Sequence, residues 1–128
     1  MDALIVIDGK LVLVTRGNEP YKGLHALPGG FVEFGETTEQ AVVREVLEET
    51  ALKTKVKALF GVYSTPNRDP RGHTVSVVYE LKRTGGKMKG GSDASAATLI
   101  PLSSVPRLAF DHSEIVADFK RRSKRKTA

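Results

Sequence analysis

The stretch from Gly29 to Leu52 has the sequence GGFVEFGETTEQAVVREVLEETAL, and it decides how the rest of the chain is interpreted. Glycines open it, and no glycine or proline follows from Thr37 to Leu52, which predicts a helix capped by Thr37 or Thr38. At about 100° per residue, apolar side chains fall on one side and carboxylates on the other. The apolar side holds Val42, Val43, Val46 and Leu47, and the acidic side holds Glu45, Glu48 and Glu49.

This acidic helix face has two interpretations. Carboxylates three and four positions apart repel one another, each pair by roughly 0.2–0.5 kcal/mol on an isolated helix, and Arg44 offsets part of this through Glu48. On spacing alone, a solvated helix face is the more frequent explanation, since charge runs on helices are common. A divalent metal site is the alternative.

Apolar runs on either side of this stretch predict strands. Residues 3–7 and 11–14 flank Asp8-Gly9, a dipeptide typical of a two-residue hairpin turn. Residues 53–63, 73–81 and 98–100 predict three more strands, and a second helix is expected from Asp111. Strands and helices within one short chain predict an α/β fold in which helices cover a mixed sheet.

Length and charge indicate one domain with a basic tail. The chain has 128 residues and is 40% apolar, enough for a single core, which we place at residues 1–119. The formal charge is +5, but six of the 20 basic residues lie between Lys120 and Lys126. Residues 1–119 therefore hold 14 basic and 15 acidic side chains. We expect residues 120–128 to fray, and deleting them to leave the activity largely unchanged.

The composition excludes several classes of protein. The chain has no cysteine, so it has no disulfide, thiolate metal site or cysteine nucleophile. The apolar run at residues 3–7 ends at Asp8, too short for a signal sequence or a membrane span. We expect a cytoplasmic protein that binds no membrane, and no nucleic acid either, because the tail lacks interleaved aromatic residues.

Eight positions in the opening stretch resemble the Nudix box, G-x5-E-x7-R-E-U-x-E-E-x-G-U, where U is a bulky aliphatic residue. One position departs, because Ala51 stands where the family has a glycine that ends the helix in a left-handed conformation. Ala51 thus implies a different helix exit or modest strain. The resemblance implies a Nudix-type α/β/α sandwich with a mixed β-sheet flanked by helices. The matching residues are Gly30, Glu36, Arg44, Glu45, Val46, Glu48, Glu49 and Leu52.

The resemblance also implies a Mg²⁺ site, in which Mn²⁺ can substitute. Hard oxygen ligands suit Mg²⁺, which neutralises phosphate charge and acidifies bound water. The implied principal ligands are Glu48 and Glu49. Glu45 is implied as a further ligand or as the group that orients water. The remaining implied roles are an additional carbonyl ligand at Gly29, carboxylate pairing by Arg44 and support of the loop–helix junction by Glu36.

Three flanking segments, residues 16–33, 62–79 and 108–112, are similar to the ADP-ribose pyrophosphatase branch of the family. This similarity implies cleavage of ADP-ribose to AMP and ribose 5-phosphate. Arg68 and Arg71 are candidates to bind phosphate oxygens, Asp69 to bind ribose hydroxyls, and Arg16 to contact the diphosphate. The alternatives are a turn at residues 69–72 stabilised by its own Asp69, and a solvated strand end at Arg16.

The catalytic base is less well defined. Relatives tend to carry an acidic residue at the position of Ala96, so the nearest carboxylate, Asp93, is our candidate. Asp111 and His112 are interpreted first as a helix cap and first turn.

Two other functions remain open. The same chemistry could act on an oxidised nucleoside triphosphate, NADH or a dinucleoside polyphosphate. Alternatively, the domain could sense ADP-ribose without cleaving it. The apolar content of the strands also allows a homodimer.

Overall fold

The computed structural model describes residues 1–88 and 97–127, with side chains as far as Ser123. Asp93, the candidate base, and Ala96 both lie outside the described residues. The elements are β1 (Asp2–Ile7), β2 (Lys10–Thr15), β3 (His25–Ala26), α1 (Thr38–Thr50), β4 (Lys53–Tyr63), β5 (Ser76–Gly85), β6 (Ala97–Pro101), a short 3-10 helix (Leu102–Ser104) and α2 (His112–Thr127).

The strands form one six-stranded mixed sheet. Its order is β3-β2-β1-β5-β4, and β6 pairs with β2. β1 and β5 run parallel, whereas β1 and β2 are antiparallel, as are β4 and β5. In the β1–β2 hairpin Ile7 pairs with Lys10, and Asp8 and Gly9 both have positive φ, 51° and 75°. This is the two-residue turn predicted from Asp8-Gly9.

The two helices cover opposite faces of this sheet. Ala3 and Ile5 of β1 point towards α1, whereas Leu4 between them packs with α2. Because side chains alternate along a strand, these contacts belong to two faces. The predicted α/β/α sandwich is confirmed. The α1 layer contains Ala41, Val42, Val46, Tyr79 and Leu81, and the α2 layer contains Phe60, Val78, Ile115, Val116 and Phe119.

Helix α1 begins with the predicted cap, and it ends in the left-handed conformation for which the Nudix pattern has a glycine. The Thr37 hydroxyl accepts from Gln40 N, and the Gln40 side chain accepts from Thr37 N, forming a capping box. At the other end Ala51 adopts φ 65° and ψ 8°, and its N–H donates to Leu47 O. The chain therefore keeps the left-handed exit, with alanine rather than glycine in the strained position.

The buried face of α1 differs slightly from the prediction. Ala41, Val42, Val46 and Thr50 are buried, whereas Leu47 is 47% exposed. Thr50 can lie inside because its hydroxyl donates to Val46 O and accepts from Leu52 N. The apolar stripe thus follows the i, i+4 row through Val42 and Val46, and Leu47 lies at its edge.

Other boundaries also moved. β5 starts at Ser76 rather than residue 73 and continues to Gly85, and the short β3 was not predicted. Helix α2 continues to Thr127, beyond Phe119, where we placed the end of the domain, and the fraying expected for residues 120–128 stays a prediction. The Arg122 guanidinium donates to Phe60 O and lies 4.1 Å from the centre of the Phe60 ring, which holds this part of the helix on β4.

In the part of the chain that the structure describes, no helix has the length and apolar content needed to cross a membrane.

Candidate functional site

The glycine loop packs directly against the acidic face of α1. Gly29 N donates to Glu49 Oε1 at 3.0 Å. A Cβ on Gly30 would lie 2.7 Å from Glu45 Cδ, so a side chain at this position would displace the Glu45 carboxylate. Glycine at position 30 therefore lets the Glu45 carboxylate lie directly against the loop.

The start of β1 holds this loop on its other side. Ala3 N donates to Pro28 O at 2.9 Å, and Gly30 N donates to Met1 O at 3.1 Å. A Cβ on Gly29 would lie 2.2 Å from Met1 O, so this glycine allows close backbone approach. The loop is thus fixed between β1 and α1, and Gly29 sits where its backbone meets the Glu49 carboxylate.

The carboxylates of Glu45 and Glu49 are held where negative charge is unfavourable. The pKa of Glu49 is raised to about 8, chiefly by burial and also by the nearby charges of Glu45 and Asp2, against the lowering effect of the Gly29 hydrogen bond. Burial also raises the pKa of Glu45, although Arg44 opposes the shift. A cation placed beside these groups would relieve this penalty.

Arg44 pairs with the carboxylates around it. Its Nε and Nη2 donate to the two oxygens of Glu36 at 3.0 and 2.7 Å, and Nη1 lies 2.9 Å from Glu45 Oε1 and 3.3 Å from Glu48 Oε2. The hydrogen bonds from Arg44 lower the pKa of Glu36 to about 2. Glu36 also accepts from Glu33 N, so it ties the loop to the helix.

These carboxylates suit a hard divalent cation by their chemistry, but they are not drawn together. Among residues 1–88 and 97–127, no three acidic or histidine side chains are grouped closely enough to hold a metal ion as they stand. Among the α1 carboxylates Glu45, Glu48 and Glu49, Glu48 is the most exposed, with 58% of its side chain accessible. Carboxylate oxygens are the ligands that Mg²⁺ and Mn²⁺ prefer, and these side chains would move together to hold such an ion.

A cavity of about 230 Å³ opens beside Glu49 and Gly29. The starts of β1 and β5, the end of β2, the start of α2 and the 68–75 loop all contribute to it. The predicted substrate residues Arg16, Arg68, Asp69 and Arg71 all line this cavity, as do Asp2, Phe31, Phe110 and His112.

Three of the predicted substrate residues, Arg68, Asp69 and Arg71, already have ionic partners within the protein. Arg68 makes a two-pronged pair with Asp111, at 2.9 Å from Nε and 2.7 Å from Nη2, and both side chains are largely buried. Asp69 accepts from Arg71 N and from the Arg71 guanidinium, and Gly72 N donates to Asp69 O. These bonds close the turn at residues 69–72. Arg68 and Asp69 therefore stabilise the loop.

Arg16 and Arg71 both lie against the Phe110 ring. The Arg16 guanidinium lies 4.8 Å from the centre of the Phe110 ring, and its Nε donates to Pro20 O. Arg71 lies 5.6 Å from the centres of both the Phe110 and the Phe31 rings. Burial and the charge of Arg71 lower the pKa of Arg16. Two cations held this close favour an anionic ligand between them.

Sequence reasoning missed a buried polar cluster on the cavity wall. His112 Nδ1 accepts from Leu27 N at 3.0 Å, and His112 Nε2 faces Asp2 Oδ1 at 3.5 Å. The Ser76 hydroxyl donates to Asp2 Oδ2. Burial would raise the pKa of Asp2, but His112 and Ser76 lower it to about 2. The similarity at residues 108–112 pointed to this region, whereas no local pattern identifies Asp2 or Ser76.

A sequence profile of the NUDIX domain matches residues 2–119. The chain belongs to the Nudix family. An ADP-ribose pyrophosphatase from Methanocaldococcus jannaschii is 54% identical over 121 residues, which cover 94% of this chain and 72% of that protein. The match with this Nudix relative extends well beyond the box, over 94% of the chain.

Solved Nudix structures share the fold. The NUDIX domain of Shewanella oneidensis NrtR, complexed with ADP ribose, has a TM-score of 0.81 and 31% identity, covering 94% of this chain and 84% of that one. A bifunctional NMN adenylyltransferase/ADP ribose pyrophosphatase from Francisella tularensis, complexed with AMP and a Mn ion, has a TM-score of 0.83 and 30% identity. This chain is 94% covered and spans 40% of that longer protein.

Proposed function

We propose that this Nudix hydrolase cleaves ADP-ribose to AMP and ribose 5-phosphate in a Mg²⁺-dependent reaction, with Mn²⁺ as a substitute. The observation that carries the proposal is the position of Glu49, which lies between the Gly29 loop and a cavity flanked by Arg16 and Arg71. The 54% identity to an ADP-ribose pyrophosphatase supports this substrate, as does the similarity to a NUDIX domain complexed with ADP ribose.

The carboxylates of α1 would hold the metal. Glu48 and Glu49 are the proposed principal ligands, with Glu45 as a third ligand or as the group that orients water, and Gly29 O as an additional ligand. A bound Mg²⁺ neutralises the diphosphate and lowers the pKa of a bound water. Arg44 keeps the acidic face together by its contacts with Glu36 and Glu45. Asp93 remains the proposed base.

The guanidiniums of Arg16 and Arg71 would position the substrate. Arg16 lacks a carboxylate in direct contact among the described contacts and borders the cavity, so it is the better placed of the two to bind the diphosphate. Arg71 shares its charge with Asp69 but is 47% exposed at the mouth. Water attacks a phosphorus atom, the bridging P–O bond breaks, and the two products each leave with one phosphate.

Product analysis of the purified protein tests the substrate. The protein would be incubated with Mg²⁺ and separately with ADP-ribose, NADH, a dinucleoside polyphosphate and an oxidised nucleoside triphosphate, and the products resolved chromatographically. AMP and ribose 5-phosphate should dominate. Glu48→Gln and Glu49→Gln should each lower the rate by orders of magnitude while the far-ultraviolet circular dichroism stays unchanged. Preferred turnover of a nucleoside triphosphate would contradict the proposal.

A second candidate is an ADP-ribose sensor that does not cleave its ligand. The similarity to the NrtR NUDIX domain, which is complexed with ADP ribose, favours it, as does the lack of a ready group of three metal ligands among residues 1–88 and 97–127. Calorimetric binding of ADP-ribose without turnover in the presence of Mg²⁺ or Mn²⁺ would select this function over hydrolysis.

We also propose that the catalytic cavity binds a small molecule rather than nucleic acid or a membrane. We further propose a cytoplasmic location and a homodimer. The dimer is supported by Leu59 and Val62, which are 58% and 57% exposed on β4, the last strand on that side of the sheet order. Sedimentation velocity at several protein concentrations tests it, and a single monomer boundary throughout would exclude a stable dimer.

A further inference from the structure

His112 connects the start of α2 to the loop that carries Gly29. The side chain is 4% exposed and lines the cavity together with Glu49. Its Nδ1 accepts from Leu27 N at 3.0 Å across 85 positions of the sequence. Because a backbone N–H points at Nδ1, that nitrogen carries no proton, and Nε2–H is directed towards Asp2. The ring therefore has a fixed tautomer and two defined neighbours.

The Leu27 contact lies close to the proposed metal ligands. Leu27 is followed by Pro28, whose ring restricts φ, and then by Gly29, whose N–H donates to Glu49 Oε1. Pro28 O accepts from Ala3 N, so the chain that leads to Gly29 is held by β1 at Pro28 and by His112 at Leu27. A displacement of Leu27 would thus be transmitted through two residues to the hydrogen bond that places the Glu49 carboxylate.

The start of α2 has anchors that do not depend on His112. Asp111 is paired with Arg68, and the Ser113 hydroxyl accepts from Leu108 N at 2.9 Å. Loss of the His112 ring nitrogen should therefore leave the helix in place and affect mainly the loop. The contact is better explained as a support for the loop than as the attachment of the helix.

We propose that His112 is a positioning residue for the reaction, which sets the Glu49 carboxylate through Leu27, Pro28 and Gly29. This inference rests on the proposed function, since it concerns the same site. The hydrogen bond from Leu27 N to Nδ1 carries this positioning role, and the contact of Nε2 with Asp2 has a secondary part in it. Groups that orient metal ligands from outside the coordination shell typically change affinity or activity by about 10–100-fold when removed.

A pair of amide substitutions separates the two ring nitrogens. In His112→Asn the amide oxygen can take the place of Nδ1 and accept from Leu27 N, whereas in His112→Gln the amide reaches the place of Nε2 and Asp2. Ser113→Ala is the matched control, because it removes a neighbouring hydrogen bond at the same helix start without touching the Leu27–Gly29 loop.

Two readouts would be compared for the four proteins. One is Mn²⁺ affinity without substrate, measured by the electron paramagnetic resonance signal of free Mn²⁺. The other is kcat and KM for ADP-ribose well below each midpoint of thermal unfolding. We expect His112→Gln to lose about 10–100-fold in kcat and to bind Mn²⁺ more weakly, with KM changed much less. His112→Asn and Ser113→Ala should stay within about threefold of wild type in both readouts.

Several outcomes would overturn the proposal. These are equal losses in His112→Asn and His112→Gln, a greater loss in His112→Asn, an equal loss in Ser113→Ala, unchanged Mn²⁺ affinity and kcat in His112→Gln, or a wild type that binds no Mn²⁺. Failure of the proposed function is distinguishable. A wild type that binds Mn²⁺ but leaves ADP-ribose intact would refute the substrate, and the Mn²⁺ affinities of the variants would still decide the role of His112.

Discussion

Ala51 holds a backbone conformation that glycine adopts without a steric penalty. Its φ of 65° is left-handed, where a Cβ costs roughly 1–2 kcal/mol. The helix ends there regardless, because Ala51 N–H satisfies Leu47 O and Leu52 is buried immediately after it. Packing on both sides of the turn thus determines the exit, and the residue type adjusts its cost.

Replacing Ala51 with glycine should stabilise the protein. We expect Ala51→Gly to raise the free energy of unfolding by roughly 0.5–1 kcal/mol, since the relief of strain exceeds the greater entropy of the unfolded chain. Denaturant unfolding monitored by circular dichroism measures it. The matched control is Ala117→Gly, at an exposed position within α2, which should cost about 1 kcal/mol. Destabilisation by both changes would contradict the interpretation of Ala51 as strained.

Glu49 should make the metal-free protein less stable as pH rises. Its pKa is about 8 in the folded protein and near the ordinary value of 4.5 in the unfolded chain. Between these values the unfolded chain binds fewer protons, so the free energy of unfolding falls as pH rises through this window, by about 1.4 kcal/mol for each unit of pKa difference at most.

Glu49→Gln keeps the oxygen that accepts from Gly29 N and removes the charge. In a chelating buffer, the fall in the free energy of unfolding between pH 5 and pH 8 should therefore be smaller in this variant than in wild type. Adding Mn²⁺ should reduce the fall in wild type and leave the variant nearly unchanged. Parallel pH profiles for the two proteins without metal would show that Glu49 is not the group responsible.

At the scale of elements, α1 was predictable because its signals are local. The capping residue, the absence of glycine and proline, and the i, i+4 spacing of Val42 and Val46 all lie within one segment. The same is true of the hairpin turn at Asp8-Gly9. Local patterns predicted the start of β5 less well. Residues 73–75 continue the apolar and polar alternation of the strand, but they belong to the loop that lines the cavity.

The candidate site was predictable in part for the same reason. The carboxylates of α1 and the glycine loop form a contiguous motif, so their proximity follows from one helix and one turn. The contacts of His112 with Leu27 and of Ser76 with Asp2 join residues 85 and 74 positions apart, and they depend on how α2 and β5 meet the start of β1. Likewise, the pairing of Arg68 with Asp111 joins residues 43 positions apart and could not be read from the charge of Arg68. The turn that Asp69 stabilises is local, and it was one of the two interpretations that the sequence offered for that residue.

The capping box of α1 supports a quantitative prediction at this scale. Thr37→Ala should lower the free energy of unfolding by about 1 kcal/mol, because the Gln40 N–H loses its acceptor at an exposed helix start. Thr37→Ser keeps the hydroxyl and should stay within a few tenths of a kcal/mol of wild type. Chemical denaturation of the three proteins checks this, and equal effects of alanine and serine would mean that the cap contributes little.

Across the whole molecule, acidic and basic groups are concentrated on different elements. The acidic side chains Glu45, Glu48 and Glu49 lie on α1, whereas six basic residues follow Phe119 on α2. The near-neutral charge of residues 1–119 thus conceals a local acidic site suited to a cation. The basic segment is part of a helix, and at least Arg122 belongs to the packed structure.

Truncation distinguishes the packed part of this segment from the rest. Removing residues 124–128 should leave kcat/KM for ADP-ribose and the thermal midpoint nearly unchanged. Removing residues 120–128 should cost about 1 kcal/mol of stability through the loss of Arg122 from Phe60, while kcat/KM at 25 °C changes little. Thermal unfolding and steady-state kinetics of both truncated chains measure these effects, and a large loss of activity in the shorter deletion would place the tail in the catalytic function.

The buried pair of Arg68 and Asp111 sets a rule for exchanging parts between relatives. Grafting a foreign loop in place of residues 64–75, for instance to alter substrate preference, would strand Asp111 without its cation unless the graft brings an arginine at the equivalent place. Such an uncompensated buried charge costs about 3–5 kcal/mol, a large share of the stability of a domain this size. Loop and helix start therefore form one exchangeable unit, and chimaeras that respect this boundary should tolerate far more sequence change inside it.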